Sequence, residues 1–371
     1  VPATFLMARA MFDRYVGLWS AWWMAVAPWP INLSRIGLRA VGMPLMVALA
    51  LWAWWAGRRR KGWRQIALVS LGGALLGLSL YTYTAARFVI PAVVTYVLYQ
   101  TWVRREPPGR TELLCLLLSA ALVMAPLAAY AVLHWGSFAE RSAQVSVFNP
   151  AIGGSNPWGM LARNVFRAAG LYTVRGDRIL RHNVPLRPLF DLLTSVFFLL
   201  GVLLCLVRAK TGGAYVLALI WMGIMMIPTI LAEDCPHFLR AVGVLPMAAV
   251  FPALGLEWTR TGLHDRLQAR RLGWVGNLVA VVVLVVSAAW GFYDYFGRHA
   301  GNPELAYAFE SDQVHEAVEI NRFLGTGWQG KSAHEDGGAL LPGRHVYLGP
   351  RMWEDRFSVN LLVASPERIS I

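Results

Sequence analysis

Long apolar runs separated by short charged segments constrain the fold of this 371-residue chain more than any other feature. Hydrophobic residues make up 57% of the chain, and its mean hydropathy is +0.47, above the usual balance of a soluble domain. A bilayer span needs about 20 mainly apolar residues. The pattern therefore predicts an all-α polytopic membrane protein. About ten spans are predicted, at 2–12 (the tail of one span), 16–29, 41–56, 66–86, 88–103, 113–133, 189–207, 214–231, 242–256 and 275–292.

The basic residues of the short loops predict how the chain is oriented. Alternate loops carry clusters of arginine and lysine, at 9–14, 57–64, 104–110, 208–210 and 259–271. The positive-inside rule places these loops in the cytoplasm. The segments predicted to face outward are therefore 31–40, 81–87, 134–188, 231–241 and 293–371. Almost every unusual polar stretch thus falls on one side of the membrane.

The distribution of charge separates the C-terminal segment from the rest. The chain carries a net charge of +13, but residues 293–371 hold 7 basic and 11 acidic residues. Anchoring loops and anionic lipid explain the excess positive charge of the apolar part better than nucleic acid does. The three cysteines imply neither a disulfide framework nor a zinc-like spacing. We predict a membrane domain at 1–292, a long outer loop at 134–188 within it, and a small extracytoplasmic α/β domain at 293–371.

Two local patterns predict further structure in the outward segments. Trp158–Leu171 has apolar residues at helical spacing with Arg163 and Arg167 on the other face, which predicts an amphipathic helix at the membrane interface. In the C-terminal segment, Pro303–Leu324 reads as a helix, 325–343 as a loop and Arg344–Gly349 as a strand.

The segment 231–241, LAEDCPHFLRA, is the first candidate site, because it places acids, a histidine and an arginine between two apolar runs. Ionisable groups at such a position are costly unless they pair, reach water or hold a ligand. Glu233 and Asp234 could position donor or acceptor, coordinate a metal, or only pair with Arg240 or a loop arginine. His237 and Arg240 lie three residues apart and could hold a lipid phosphate on one helical face. The alternative is a snorkelling arginine with a satisfied histidine.

Three more outward segments hold candidate residues. Arg35 and Arg39 suit either phosphate contacts or packing. Arg87 is a further cation at the same predicted depth. The remaining candidates would line the entrance of the acceptor, or else act as interface anchors and loop-stabilising hydrogen-bond partners; they are Tyr81, Tyr83, Asp177, Arg181, His182 and Asn183.

Transfer of a sugar from a lipid phosphate suits an outward group of acids and cations. The reaction needs a base to take the acceptor's proton and cations to stabilise the phosphate as it leaves. A lipid-linked sugar flippase or other transporter would instead need ionisable groups near the bilayer midplane, on broken helices in repeated halves. A non-catalytic scaffold that presents the outer domain is a third alternative.

Six segments, in order along the chain, carry a resemblance to a known family. They read PWPINLSRIGLRA, GLSLYTYTAARFVIP, AERSAQVSVFN, GDRILRHNVPLRPLFD, EDCPHFLRAVG and VYLGPRMWEDRF. With these segments the chain resembles bacterial GT-C glycosyltransferases, in the branch similar to protein O-mannosyltransferases and to the lipid A aminoarabinose transferase. The resemblance covers nearly the whole chain.

This resemblance implies a GT-C type helical bundle in the bacterial cytoplasmic (inner) membrane. It implies that a hexosyl or pentosyl group moves, with inversion, from a polyprenyl-phosphate donor to a lipid, glycan or protein acceptor at the outer face. In the family the main catalytic acid lies in a first outer loop, so a chain beginning at Val1 is expected to be truncated at both ends, to lack that acid and to be inactive alone. The catalytic base stays unassigned, with Glu233 and Asp234 as candidates. No cofactor is assigned, no metal ligand is fixed, and a divalent metal is left open.

Overall fold

The computed structural model describes residues 1–326, 343–354 and 357–371. The chain divides into two compact units, Val1–Arg298 and His299–Ile371. Most of the loop predicted at 325–343 lies outside the described residues, as do Asp355 and Arg356 of the last motif.

The regular elements described in the first unit are helices. Its α-helices are α1 (Pro2–Met11), α2 (Arg14–Val26), α3 (Pro28–Ile36), α4 (Gly42–Arg58), α5 (Trp63–Ser79), α6 (Val89–Leu98), α7 (Arg110–Leu133), α8 (Trp135–Gln144), α9 (Pro150–Gly153), α10 (Pro157–Gly170), α11 (Leu192–Val207), α12 (Gly213–Ile230), α13 (Leu245–Ala248), α14 (Val250–Gln268) and α15 (Trp274–Phe292). Short 3₁₀ turns lie at Arg39–Val41, Thr84–Phe88 and Val242–Val244, and π-helical turns at Tyr99–Val103 and Tyr293–His299.

Five helical stretches are long and apolar enough to cross a membrane. They are Arg39–Arg58, Arg110–Leu133, Gly213–Ile230, Val242–Gln268 and Trp274–His299. Helix α11 is apolar but shorter. The chain is therefore a helical, multi-pass membrane fold, and the count of ten spans stays a prediction.

Local chemistry explains where helix ends differ from the predicted spans. The run predicted at 16–29 is broken, because Ala27 precedes Pro28 and takes an extended conformation, as residues before proline do. The run predicted at 242–256 continues as helix into the basic stretch, up to Gln268. Arg260 pairs there with Glu257, one turn earlier, at 2.6 Å, which supports the added turns.

The helices of the first unit pack around α14. In an apolar 18-residue window of Val242–Gln268, 89% of the residues are buried, against 6% in such a window of the peripheral Arg110–Leu133. Helices α11 and α14 approach closely at Gly201 and Gly255, where an added Cβ would lie 1.8 Å and 2.1 Å from backbone oxygens of the facing helix. Small residues allow such approach in membrane bundles. The central helix is thereby fixed against α11, next to the outer loops that hold the candidate site.

The second unit contains α16 (Glu304–Ala308), α17 (Ser311–Leu324), β1 (Val346–Tyr347), α18 (Pro350–Glu354), α19 (Phe357–Leu362), a 3₁₀ turn (Pro366–Arg368) and β2 (Ile369–Ser370). Strands β1 and β2 pair in parallel, with Val346 opposite Ile369. The single helix predicted at 303–324 is wrong, because Glu310 adopts a left-handed φ of 56° and separates α16 from α17. The strand predicted at 344–349 is only two residues long. The α/β character of the whole segment stays a prediction.

Candidate functional site

The outward segments of the first unit meet one another. Helix α3 reaches two of them. The Asn32 side chain donates to the carbonyl of Arg181 at 2.8 Å, and Trp29 stacks on Phe238 with ring centroids 4.2 Å apart. The 3₁₀ turn Thr84–Phe88 packs against α12 and against the turn Val242–Val244. We call these joined segments, at 28–41, 80–88, 134–191 and 231–241, the loop cluster.

Helix α10 holds the segment 231–241 in place. The amphipathic helix predicted at Trp158–Leu171 is confirmed, one residue earlier, as Pro157–Gly170. Its buried face presents Asn164, whose side chain donates to the carbonyls of Ile230 and Ala232 at 3.0 Å and 2.9 Å. Its opposite face leaves Phe166 80% exposed. A helix with this asymmetry is typical of a membrane interface.

The long outer loop also pairs with this segment through its backbone. Ser146 and Ala232 form an antiparallel bridge. The N–H of Val147 donates to the carbonyl of Leu231 at 2.8 Å, and that of Glu233 donates to the carbonyl of Val145 at 3.1 Å. The start of the segment 231–241 is therefore held by two neighbours. The backbone of residues 145–147 pairs with it on one side, and Asn164 of α10 binds its carbonyls on another.

Both acids of this segment form ion pairs. Asp234 accepts from Arg178 at 2.6 Å, and Glu233 lies 3.6 Å from Arg240. The side chain of Arg240 is 14% exposed, and its Nη1 has no hydrogen-bond partner among the described residues. The sequence left three roles open for these acids: positioning a substrate, binding a metal, or pairing with arginine. The structure shows both acids paired with arginine. Arg240 is left with unused donors.

A cavity of about 460 Å³ opens beside these acids. We call it the polar cavity. Arginines from α10 and from the following loop lie opposite the two carboxylates. Its wall is formed by Phe166, Arg167, Gly170, Val174, Arg175, Gly176, Arg178, Leu186, Glu233, Asp234, Cys235 and Pro236.

A buried group of three ionisable side chains lies within the same loops. Asp177, His182 and His237 are 1%, 6% and 8% exposed. The Asp177 carboxylate accepts from the backbone N–H of Ile179 and of Phe238, each at 2.8 Å. Its Oδ2 lies 3.1 Å from Nδ1 of His182. The ring centroids of His182 and His237 are 4.9 Å apart.

Burial and hydrogen bonding act in opposite directions on this group. Burial by itself raises the pKa of Asp177, but the hydrogen bonds from His182, Ile179 and Phe238 outweigh it, so the pKa lies below its ordinary value. Burial lowers the pKa of His237 to about 4, although the charge of Asp177 opposes this. Asp177 is therefore ionised and His237 neutral at pH 7.

The other residues predicted in the long loop have structural contacts. The Asn183 side chain donates to the carbonyls of Asp177 and Arg187, at 3.1 Å and 2.7 Å, and closes the loop. Arg181 takes part through its carbonyl, which accepts from Asn32. These are the loop-stabilising hydrogen bonds that the sequence analysis had left open beside an acceptor role.

None of the predicted phosphate-binding residues belongs to the wall of the polar cavity. Arg35 lies over the ring of Tyr295 at 5.5 Å. Arg39, Tyr81, Tyr83 and Arg87 line a second space of about 420 Å³. We call this space the apolar groove, because most of its wall comes from apolar residues of the neighbouring helices, namely Leu80, Ile90, Met124, Leu127, Ala128, Ala131 and Phe138.

Two side chains of the groove also support its walls. Arg87 donates to the carbonyl of Phe138 at 2.8 Å and lies 3.6 Å from the centre of that ring. The Tyr81 hydroxyl donates to the carbonyl of Val123 at 2.9 Å and is 3.3 Å from the N–H of Leu127. It therefore sits at the turn of α7 that contains Pro126. Tyr81 is a packing residue of α7 in addition to any contact with a ligand.

Sequence reasoning missed several residues of the site. Asn164 was not singled out, and Arg167 was assigned only to the polar face of a helix. Arg175 was not considered at all. An asparagine inside an otherwise amphipathic helix is the one available signal, since asparagine is a poor helix former without a special partner.

No family model and no curated protein matches this sequence. Solved structures do match its fold. The apo oligosaccharyltransferase of Archaeoglobus fulgidus superposes with a TM-score of 0.54 at 15% identity, over 99% of this chain and 51% of that one. Oligosaccharyltransferase AglB of the same organism, in complex with an inhibitory peptide and a dolichol-phosphate, gives a TM-score of 0.50 at 14% identity, over 98% and 51%.

The chain spans about half the length of these oligosaccharyltransferases. Identity at this level shows the fold and leaves the reaction open. The shared fold agrees with the GT-C resemblance, while the family itself, its bacterial branch and the truncation stay predictions. The chain therefore shares its helical fold with these oligosaccharyltransferases.

Proposed function

We propose that this chain belongs to a glycosyltransferase that moves a sugar from a polyprenyl-phosphate donor to a lipid, glycan or protein acceptor. The reaction would take place at the outer face of the bacterial inner membrane, with the C-terminal segment extracytoplasmic. The shared fold supports this proposal, as does the dolichol-phosphate and peptide held by one of the similar proteins. The observation that carries it is the incompletely paired guanidinium of Arg240.

A largely shielded arginine with unused donors, such as Arg240 with a side chain that is 14% exposed, favours an anionic ligand. A guanidinium has five N–H donors, and a charge taken out of water needs partners for them. Charge-assisted bonds of this type are about 2.7–2.9 Å long, whereas Arg240 and Glu233 are 3.6 Å apart. Nη1 has no partner among the described residues. A lipid phosphate would supply the missing acceptors in a bidentate geometry.

The polar cavity begins at Glu233, the ion-pair partner of this arginine, and carries further positive charge. Arg167, Arg175 and Arg178 line it together with Glu233 and Asp234. Binding of a phosphate by Arg240 would compete with Glu233 and leave that carboxylate available for a polar group of the sugar or the acceptor. His237 lies in the same segment, and Nδ1 of its ring accepts the backbone N–H of Arg240 at 3.4 Å.

The apolar groove is suited to the tail of the same donor. Its wall is apolar, and Arg39 and Arg87 lie on it. This combination matches an isoprenoid chain that ends in a phosphate. The turn Thr84–Phe88, which carries Arg87 of the groove, packs on the turn Val242–Val244, which directly follows the segment 231–241.

The chemical step follows from these assignments. A hydroxyl or amine of the acceptor attacks the anomeric carbon while the bond from that carbon to the phosphate oxygen breaks. The electron pair leaves with the polyprenyl phosphate, whose charge the arginines stabilise. A carboxylate takes the acceptor's proton. We leave that base unassigned, with Glu233 and Asp234 as the candidates among the described residues.

The transporter alternative gains no support from the described residues. Glu233, Asp234 and Arg240 lie in the segment between α12 and the turn Val242–Val244, and not inside a helix. A transporter site near the bilayer midplane would place them within discontinuous helices.

The test is transfer from a radiolabelled polyprenyl-phosphate sugar by the complete protein in membranes. We expect Arg240→Ala to lower kcat/KM at least about 100-fold, the loss typical of removing one donor to a developing charge, and Asp234→Asn to lower it less. Arg59→Ala, at an exposed position, is the matched control and should act like the wild type. Equal rates for Arg240→Ala and Arg59→Ala would disprove the assignment of Arg240.

A further inference from the structure

We propose that Asp177, His182 and His237 form a binding site for a divalent metal ion, with Zn²⁺ as the best match. The site goes beyond the proposed sugar transfer and does not depend on it. The sequence has no cysteine and histidine spacing typical of a zinc site. The two acids that were candidate metal ligands, Glu233 and Asp234, pair with arginines instead.

The three side chains come from two separate parts of the loop cluster. Asp177 and His182 lie between α10 and α11, and His237 follows α12. All three are buried, and one ligand atom of each lies within 4.8 Å of the other two. No second group of this kind is present among the residues that the structure describes. The fold therefore brings together three ligand-type groups and excludes water from them.

The chemical nature of the three ligands favours some metals over others. Two imidazoles and one carboxylate, with a fourth position left for another ligand, is a common protein set for Zn²⁺. Calcium and magnesium prefer oxygen ligands. With zinc–ligand bonds of about 2.0–2.1 Å, neighbouring ligand atoms of a tetrahedron lie about 3.3 Å apart. Asp177 Oδ2 and His182 Nδ1 are already 3.1 Å apart, and one ligand atom from each of the three residues lies within 4.8 Å of the other two.

The backbone around the group holds two of the ligands in position. Both carboxylate oxygens of Asp177 accept backbone N–H groups, from Ile179 and Phe238. The backbone N–H of His237 donates to the Thr229 hydroxyl at 2.8 Å. Partners of this kind orient metal ligands and are part of a working site. The contacts that a metal ion would replace are the weaker ones, at 3.1 Å to His182 and at 3.4 Å between Arg240 and His237.

A metal ion at this position would join the long outer loop to the segment 231–241. His237 lies three residues before Arg240 in this segment, so occupancy of the site would also restrict the backbone that carries that arginine. A group that serves only as a hydrogen-bond network would show the same contacts but would not retain metal.

Metal binding is measured directly on the purified, complete protein. The protein is stripped with a chelator, dialysed against Zn²⁺ or Co²⁺ alone, and its metal content is determined by mass spectrometry. We expect one ion per chain. Asp177→Asn, His182→Gln and His237→Gln should each weaken binding by more than the roughly 10–100-fold loss typical of an outer-shell change. His264→Gln is the matched control, because His264 lies in α14, away from the group.

The visible spectrum of the Co²⁺ form tests the ligands without relying on loss of binding. His237→Cys should keep the ion and add a thiolate-to-cobalt charge-transfer band that the wild type lacks. Wild-type protein that retains no metal after dialysis would overturn the proposal, and so would a Co²⁺ spectrum that is the same in wild type and His237→Cys. Because no substrate is present, these results are separate from any failure of the proposed sugar transfer.

Discussion

Replacement of Asp177 by asparagine tests whether its carboxylate holds the loop cluster together. Each carboxylate oxygen accepts a backbone N–H at 2.8 Å, from Ile179 on one side and from Phe238 on the other. An asparagine side chain has a single acceptor oxygen. Its NH₂ group must therefore face one of these two N–H groups, at a position that is 1% exposed.

The size of the effect follows from this geometry. The variant loses one hydrogen bond to a charged group, about 1.5–3 kcal/mol, and leaves a buried N–H unsatisfied, about 1–3 kcal/mol. The pKa of Asp177 lies below its ordinary value because the surroundings favour its charged form, so removal of the charge brings no compensating gain. We expect a loss of about 3–5 kcal/mol in the free energy of unfolding, or at least about 6 °C in Tm.

The assay is thermal unfolding in detergent micelles, with a chelator present so that metal binding does not contribute. Asp13→Asn is the control, because the Asp13 side chain caps α2 through the N–H groups of Tyr15 and Val16, and asparagine caps helices as well as aspartate does. Its Tm should stay within about 2 °C of the wild type. Equal Tm values for the two variants would refute the role given to Asp177.

Three further predictions concern packing, an ion pair and pH. Gly201→Ala places a Cβ 1.8 Å from a backbone oxygen of α14 and should cost about 1–3 kcal/mol, whereas Gly223→Ala, with nothing within 4 Å, should not lower Tm. Asp294→Asn leaves the buried Arg187 without its charge partner, and should lower the free energy of unfolding by about 3–5 kcal/mol in denaturant titrations. Burial lowers the pKa of His237 to about 4 from 6.5, so the unfolded chain is protonated first as the pH falls. The stability that His237 contributes is complete above pH 6.5 and about 3 kcal/mol smaller at pH 4. Denaturant titrations across this pH range should show the loss. In His237→Gln, this part of the pH dependence should be absent.

Local patterns were predicted well because their causes are local. The helix Pro157–Gly170 follows from apolar spacing and from the Asn156 cap, whose side chain accepts the N–H of Gly159 at 2.8 Å. The break at Pro28 also has a local cause, because a proline disfavours the helical conformation of the residue before it. The prediction of one span at 16–29 rested on hydrophobicity and did not include this effect.

Contacts between distant segments were not predicted, because no periodicity reports them. The pair of Arg178 with Asp234 and the group of Asp177, His182 and His237 form only when the two loops meet. Each loop was a candidate on its own, yet the sequence could not tell which arginine meets which acid, nor that two histidines would share a buried space.

The way in which Asn164 holds its neighbour has a consequence for variation among related proteins. Its amide binds the carbonyls of Ile230 and Ala232, which every amino acid possesses whatever its side chain. Substitutions along the tethered segment can therefore change the side chains that line the polar cavity without loosening the attachment. We expect natural diversity to accumulate on the segment, while the asparagine that anchors it is retained.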